Sequence, residues 1–203
     1  MSNTSDQAEP LQQACLLVGR FQYHFARVEQ KIDQAVITLL DLDERAASMV
    51  TGSIDFARKL NLVRTSAYTQ AGNDKDRQFA DRTCIDVFKI NTDRQVIVHS
   101  SFEPASAGGV QFRRTVAKDG RVRIDDQVWD DEKFSKHCSE MSRLETELDK
   151  LIQLIKPAEV PNFGWYAPLS EPMYRQTPLA LRVAAMNALV EVPWFPGKDD
   201  SNP

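Results

Sequence analysis

The stretch PLQQACLLVGRFQYHFARVEQKIDQAVITLL, residues 10–40, decides the fold class. Its apolar side chains recur at steps of three and four residues, which is the spacing of one face of an α-helix. The members of that face are Leu11, Cys15, Val18, Phe21, Phe25, Val28, Ile32, Val36 and Leu39. Because many of the intervening positions are polar or charged, the pattern predicts one long amphipathic helix and a helical domain built around it.

Three further segments continue the helical pattern. A second helix is predicted over about 44–71 and ends at Gly72-Asn73, a natural C-terminal stop. A third helix begins near residue 74, and a fourth, with apolar residues at heptad-like spacing, covers about 131–156. The sequence therefore predicts an all-α, up-and-down bundle of about four long helices.

Two runs of strand-like residues interrupt the helices over about 110–128. The Asp119-Gly120 pair that separates them is a strong local signal for a hairpin turn. The segment FEPASAGG, which precedes the first run, consists largely of turn-forming residues and is predicted to be a loop. We therefore expect a β-hairpin inserted between the third and fourth helices.

The hairpin carries a group of basic residues that could follow an RNA backbone. These are Arg113, Arg114, Lys118, Arg121 and Arg123. The alternative is a charged edge ribbon that resists aggregation and is neutralised by the acidic residues around it. These flanking residues are Asp125, Asp126, Asp130 and Asp131. Both interpretations remain open from the sequence.

The chain divides into a helical domain over 1–156 and an extension over 157–203 that is rich in proline and aromatic residues. We expect the extension to form a strap packed on the same domain. Thr177 followed by Pro178 resembles an N-cap and first helical position, which predicts a short apolar helix over about 178–191.

The composition limits the classes of function. With 203 residues, 42% of them hydrophobic, the chain fits one soluble domain with a tail, and its net charge of −4 restricts any nucleic-acid contact to a local patch. Three cysteines at unrelated spacings predict reduced thiols and no zinc motif. The polar N-terminus and the lack of a long apolar run predict a cytoplasmic protein without membrane contact, and we expect no metal or cofactor.

Residues 86–102, DVFKINTDRQVIVHSSF, hold the candidate catalytic residues Arg94 and His99 near the end of the third helix. Asn91, one turn before the arginine, could orient the histidine or bind phosphate. Because five residues turn about 500° on an ideal helix, Arg94 and His99 would point about 140° apart. They meet only if the helix frays before the histidine, if the arginine curls back, or if the partner side chain comes from a second subunit.

This Arg-x4-His motif, RQVIVH at residues 94–99, resembles the signature of the HEPN family of small all-α proteins, which are commonly RNases, toxins or nucleotide-associated domains. The resemblance covers roughly residues 10–156 as an arrangement of helices, whereas the hairpin and the apolar tail helix depart from it. It implies a homodimer that unites two motifs in one site. It also implies a metal-independent endoribonuclease of a toxin or defence system, with RNA as substrate and an antitoxin as a further partner.

The residue types suit that chemistry. RNA is cut without a metal when a base removes the 2′-hydroxyl proton, an acid protonates the leaving oxygen, and a cation stabilises the phosphate between them. Histidine titrates near neutrality and suits the first two tasks, whereas the guanidinium group matches phosphate oxygens. His99 is therefore expected to transfer protons and Arg94 to stabilise phosphate.

Three other interpretations stay open. His99 could cap helix carbonyls while Arg94 pairs with Asp86 or Asp93, which would make the motif structural. The chain could instead be a non-catalytic helical dimer that binds another protein, or a nucleotide-sensing module. His24 is expected to be a packed or surface residue, and His137 and Cys138 are expected to be structural because adjacent helix positions point about 100° apart.

Overall fold

The computed structural model describes residues 8–118 and 121–156, with Ala117, Lys118 and Arg121 described in their backbone only. Five helices and three strands follow one another in this part of the chain. Their order is α1 Ala8–Leu40, α2 Glu44–Ser53, α3 Phe56–Gln70, α4 Asp74–Val98, β1 Ser101–Pro104, β2 Val110–Lys118, β3 Arg121–Trp129 and α5 Asp131–Leu154. The predicted all-α bundle with an inserted hairpin is confirmed. The extension over 157–203 and its short helix over 178–191 lie outside the described residues.

Helices α1 and α5 pack against each other. Two ion pairs join them, Arg27 to Glu145 at 2.8 Å and Lys31 to Asp149 at 2.6 Å. Since both residue numbers rise together, the two helices run in the same direction. The helix predicted over 10–40 is confirmed almost to the residue, and its predicted apolar face is buried from Phe21 onward. In the first turns the predicted face was wrong, because Leu11 and Cys15 are exposed and Ala14 and Leu17 are buried instead.

The predicted second helix, 44–71, is in fact two helices. Ile54 adopts an extended conformation, and the Asp55 carboxylate accepts a hydrogen bond from the backbone N–H of Arg58 at 3.0 Å. This is an N-cap, which satisfies one of the free N–H groups at the start of a new helix. The prediction of one continuous helix was therefore wrong at this point.

Helix α4 begins where the sequence predicts, with the Asn73 side chain as its N-cap. It runs antiparallel to α5, because Asp86 contacts Arg143 whereas Asp93, further along α4, contacts the earlier residue His137. The helix stays regular through Val98. The motif therefore lies on an intact last turn.

The three strands form an antiparallel sheet in the order β1-β2-β3. The hairpin of β2 and β3 agrees with the predicted span, but β1 corrects the prediction of a loop over the preceding segment. Ser101–Pro104 pairs with β2 from Arg113 back to Val110. Gly109 closes this turn with φ +84°, and a Cβ atom there would collide with the carbonyl oxygen of Trp129, so glycine is required.

The base of the sheet is fixed in the core. The Trp129 ring is fully buried and meets Phe21, Phe112 and Phe134 edge-on, with centroid distances of 5.9, 5.3 and 5.4 Å. Edge-to-face rings stabilise such a cluster beyond their burial alone. This aromatic cluster ties the hairpin to α1 and α5, next to the end of α4.

Candidate active site

Arg94 lies on the side of α4 that faces α1. Its guanidinium carbon is 4.8 Å from the centroid of the Phe25 ring, a cation–π contact. Its Nε is buried and has no hydrogen-bond acceptor among the described residues. A buried donor without a partner is uncommon in folded proteins, and the Nε of Arg77 on the same helix shares this state.

Asn91 shares this environment. It lies one turn before Arg94 and is 9% exposed, and its side-chain oxygen is buried without a donor among the described residues. Residues three apart on a helix are neighbours on its surface. Asn91 and Arg94 thus place two polar groups with unused hydrogen-bonding capacity on one side of α4.

His99 is the C-cap of α4. Its backbone N–H donates to the carbonyl of Gln95 at 3.1 Å, and φ −107° and ψ 13° take the chain out of the helix. Its side chain is exposed and makes no hydrogen bond or ion pair to another residue in the described part of the chain. The ring is therefore open to solvent at the end of the bundle that carries the sheet.

Within one chain, the structure does not bring Arg94 and His99 together. The helix does not fray before His99, and the guanidinium rests on Phe25 instead of reaching toward the helix end. The two residues are separated by five helical steps, about 7.5 Å along the axis and about 140° around it. Of the three routes to a joint site, a second subunit is the one compatible with this geometry.

The structure does not show the alternative in which Arg94 pairs with Asp86 or Asp93. Asp86 already contacts Lys89 at 3.0 Å and Arg143 at 3.1 Å. Partial burial would raise the pKa of Asp86, but hydrogen bonds from Lys89 and Arg143 lower it below its ordinary value. Asp93 lies 3.7 Å from His137. Arg94 thus pairs with neither Asp86 nor Asp93.

The pair Asp93 and His137 was not predicted. Nδ1 of His137 is 3.7 Å from a carboxylate oxygen of Asp93, slightly beyond hydrogen-bond distance, and the ring packs against Trp129 and Phe21 at 4.9 and 5.9 Å. Burial lowers the pKa of His137 and raises that of Asp93, while the opposite charge of each partner acts against these shifts. The two residues come from antiparallel helices, so no local sequence pattern could join them.

A shallow groove lies over this pair. It is lined by Lys89, Ile90, Asp93, Asp130, Glu132, Lys133, Lys136, His137 and Glu140. Its lining holds three lysines and four carboxylates, so the charges largely cancel and favour neither an anion nor a cation. Among the described residues, no group of three or more histidine, cysteine, aspartate or glutamate side chains could hold a metal ion.

His24 and the three cysteines are the remaining candidates for reactive side chains, and they lie outside the Arg-x4-His motif. His24 is half-buried and meets the Tyr23 ring edge-on at 5.5 Å. All three cysteines are free thiols, and burial raises the pKa of Cys84 to about 12 and raises that of Cys138. Buried thiols with raised pKa values are poor nucleophiles.

The basic hairpin is partly neutralised. Arg113 contacts Asp126 at 3.2 Å, and Arg114 is the register partner of Asp125. Arg123 is exposed, whereas the side chains of the other two predicted RNA-binding residues, Lys118 and Arg121, lie outside the described part. Contact of this surface with RNA stays a prediction.

Comparison with known proteins identifies no relative. No family model, curated protein or solved structure matches the chain. None of the helices that the structure describes is long and apolar enough to cross a membrane.

Proposed function

We propose that the protein is a HEPN-like, metal-independent endoribonuclease that acts in the cytoplasm as part of a toxin or defence system. In this proposal Arg94 stabilises the scissile phosphate and His99 transfers protons, with Asn91 as a phosphate or histidine ligand. The carrying observation is that Arg94 holds a buried Nε without an acceptor while the nearest carboxylates in sequence are paired with other residues.

A phosphate oxygen would satisfy this arrangement. The Phe25 ring holds the guanidinium group in place without neutralising it, so the fixed cation can accept an anion at little further ordering cost. The guanidinium fork suits two phosphate oxygens. An exposed histidine at the helix end supplies the proton donor or acceptor that the cleavage of RNA requires.

The proposal includes a two-fold homodimer. One chain carries one Arg94 and one His99, on different sides of an intact helix, whereas cleavage needs an acid, a base and a cation around one phosphate. A two-fold axis near the end of α4 would place the histidine of one subunit beside the arginine of the other. An antitoxin would then act by covering this shared site.

The test is cleavage of a mixed cellular RNA pool by the purified protein in excess chelator. We expect wild-type protein to leave 2′,3′-cyclic phosphate ends, and Arg94→Ala and His99→Ala to be slower by about 10²-fold or more. Arg82→Ala is the matched control, because Arg82 is an exposed arginine on the same helix. Wild-type protein that cuts no RNA, or variants that cut as fast as Arg82→Ala, would contradict the proposal.

A further inference from the structure

In the part of the chain that the structure describes, the outer edge of β3 has no neighbouring strand, and the strand carries an apolar row. The sheet order β1-β2-β3 leaves β3 with one neighbouring strand among the described residues, so its second edge presents unpaired N–H and C=O groups. Val122, Ile124 and Val128 point to the face away from Trp129 and are 72%, 65% and 57% exposed. Such an edge is a template for pairing with another strand.

We infer that this edge pairs with β3 of a second copy of the chain, antiparallel and centred on Ile124. In a two-fold antiparallel pair, residues that face each other project to the same side of the sheet. Side chains alternate between the two faces of the sheet along the strand, so two facing residues must be an even number of positions apart in the sequence. The two-fold axis therefore passes between two copies of the same residue. This leaves only registers that are centred on a single residue.

Charge selects one of the registers that are centred on residues 122 to 126. Centring on Arg123 or Asp125 would place identical charges opposite each other, which destabilises a strand pair. Centring on Asp126 would do the same, and centring on Val122 would place Arg121 opposite Arg123. Centring on Ile124 instead places Arg123 of each chain opposite Asp125 of the other, twice.

The apolar row gains cross-strand contacts in the same register. Ile124 faces its own copy, and Val122 has Ile124 and Val128 of the other chain as diagonal neighbours, within reach of side-chain contact. Asp126, which faces Val122 of the other chain, keeps its own ion pair with Arg113 at 3.2 Å. The register therefore gives Ile124 and Val122 apolar neighbours across the strands and pairs the charges of Arg123 and Asp125.

This contact is distinct from the dimer proposed for the nuclease site. Pairing of two β3 strands makes one six-stranded sheet, in which the two β1 strands lie five spacings, about 24 Å, apart. His99 precedes β1 by two positions, so the two histidines stay on opposite edges. The interface holds whether or not the protein cuts RNA, and a strand contact alone is small against a standard interface, so we expect association in the micromolar range.

The first test is Ile124→Lys, which places two ammonium groups side by side on the axis. We expect the mass of the assembly in sedimentation velocity to halve relative to wild type at micromolar concentration. The control Met49→Lys, at a residue 63% exposed on α2, should keep the wild-type mass. An unchanged mass for Ile124→Lys, or a wild-type protein that stays monomeric throughout this range, would overturn the interface.

A second test addresses the register. Arg123→Asp and Asp125→Arg should each fail to self-associate, because each places like charges opposite each other. An equimolar mixture should regain the wild-type mass. One variant then has two carboxylates at positions 123 and 125, the other has two guanidinium groups there, and each carboxylate faces a guanidinium group. Far-UV circular dichroism of each variant checks the fold, since Arg114 is the partner of Asp125 within the chain.

These two variants, Arg123→Asp and Asp125→Arg, distinguish the proposed register from contact of the strand with RNA. Two folded variants that remain dissociated when mixed would overturn this register. An Arg123→Asp variant that keeps its mass but binds RNA more weakly would assign the strand to RNA and overturn the pairing.

Discussion

His99 and His137 lie near the same end of the bundle in opposite environments. His137 is enclosed by Phe21, Trp129 and Asp93, and its side chain is 13% exposed. His99 stands at the end of α4 with an exposed ring. Packing thus holds one histidine against the aromatic cluster and leaves the other exposed to solvent, although both are polar residues at helical positions in the sequence.

The largest expected effect on stability separates these two residues. His137→Ala removes a ring from the aromatic cluster and should lower the free energy of unfolding by about 2–3 kcal/mol, the cost of a large-to-small change in a core. His99→Ala should change it by less than about 0.5 kcal/mol, as for an exposed site. Urea unfolding followed by circular dichroism measures both. Equal losses for the two variants would end the distinction.

The second expected effect is a dependence of stability on pH. Burial lowers the pKa of His137 in the folded state, so the unfolded chain binds a proton first as the pH falls below about 6.5. Stability should therefore decrease from about pH 6.5 down to the lowered pKa. Lys133 and Lys136 strengthen this shift, whereas Asp93 and Glu140 oppose it.

Asp93 contributes with the opposite sign at lower pH. Burial raises its pKa in the folded state, so the folded chain takes up this proton first and gains stability as the pH falls toward about 4. Urea midpoints between about pH 7.5 and 5.5 isolate the histidine. Wild type and Asp93→Asn should lose stability over this range, and His137→Gln should not. A wild-type slope in His137→Gln would assign the effect to another group.

The smallest expected effect on stability concerns Arg94. Arg94→Met keeps an unbranched side chain on Phe25 and removes the charge, so only a cation–π contact worth about 0.5–1 kcal/mol is lost. We expect the free energy of unfolding to change by no more than this amount while RNA cleavage is lost. A loss of stability several times larger would show that the guanidinium group is a structural element.

The sequence predicts the long helices well because their apolar faces are continuous over many turns. It fails at Asp55, where one capping side chain divides a periodic stretch into α2 and α3. It also misses β1, because Ser101–Pro104 is a strand only through its pairing with β2. Periodicity reports burial over several turns, whereas a cap or a short strand depends on single contacts.

The candidate site also has features that the sequence predicts and features that it does not. The motif and the helix end are visible in the sequence, as is the angle that separates Arg94 from His99. The contact of Arg94 with Phe25 and the pairing of Asp93 with His137 are not, because each joins residues from different helices. The sequence thus identifies the candidate reactive side chains, whereas the packing of the helices determines which of them already contact another residue.

The most direct measurement mixes wild-type protein with an equal amount of His99→Ala and assays RNA cleavage in excess chelator. If one site needs the histidine of both subunits, only about a quarter of the dimers keep both histidines after random pairing. The mixture should then cut RNA at about a quarter of the rate of the same total amount of wild-type protein. If His99→Ala folds and associates as wild type does and the mixture keeps about half of that rate, each chain cuts RNA by itself and the two-subunit site is contradicted.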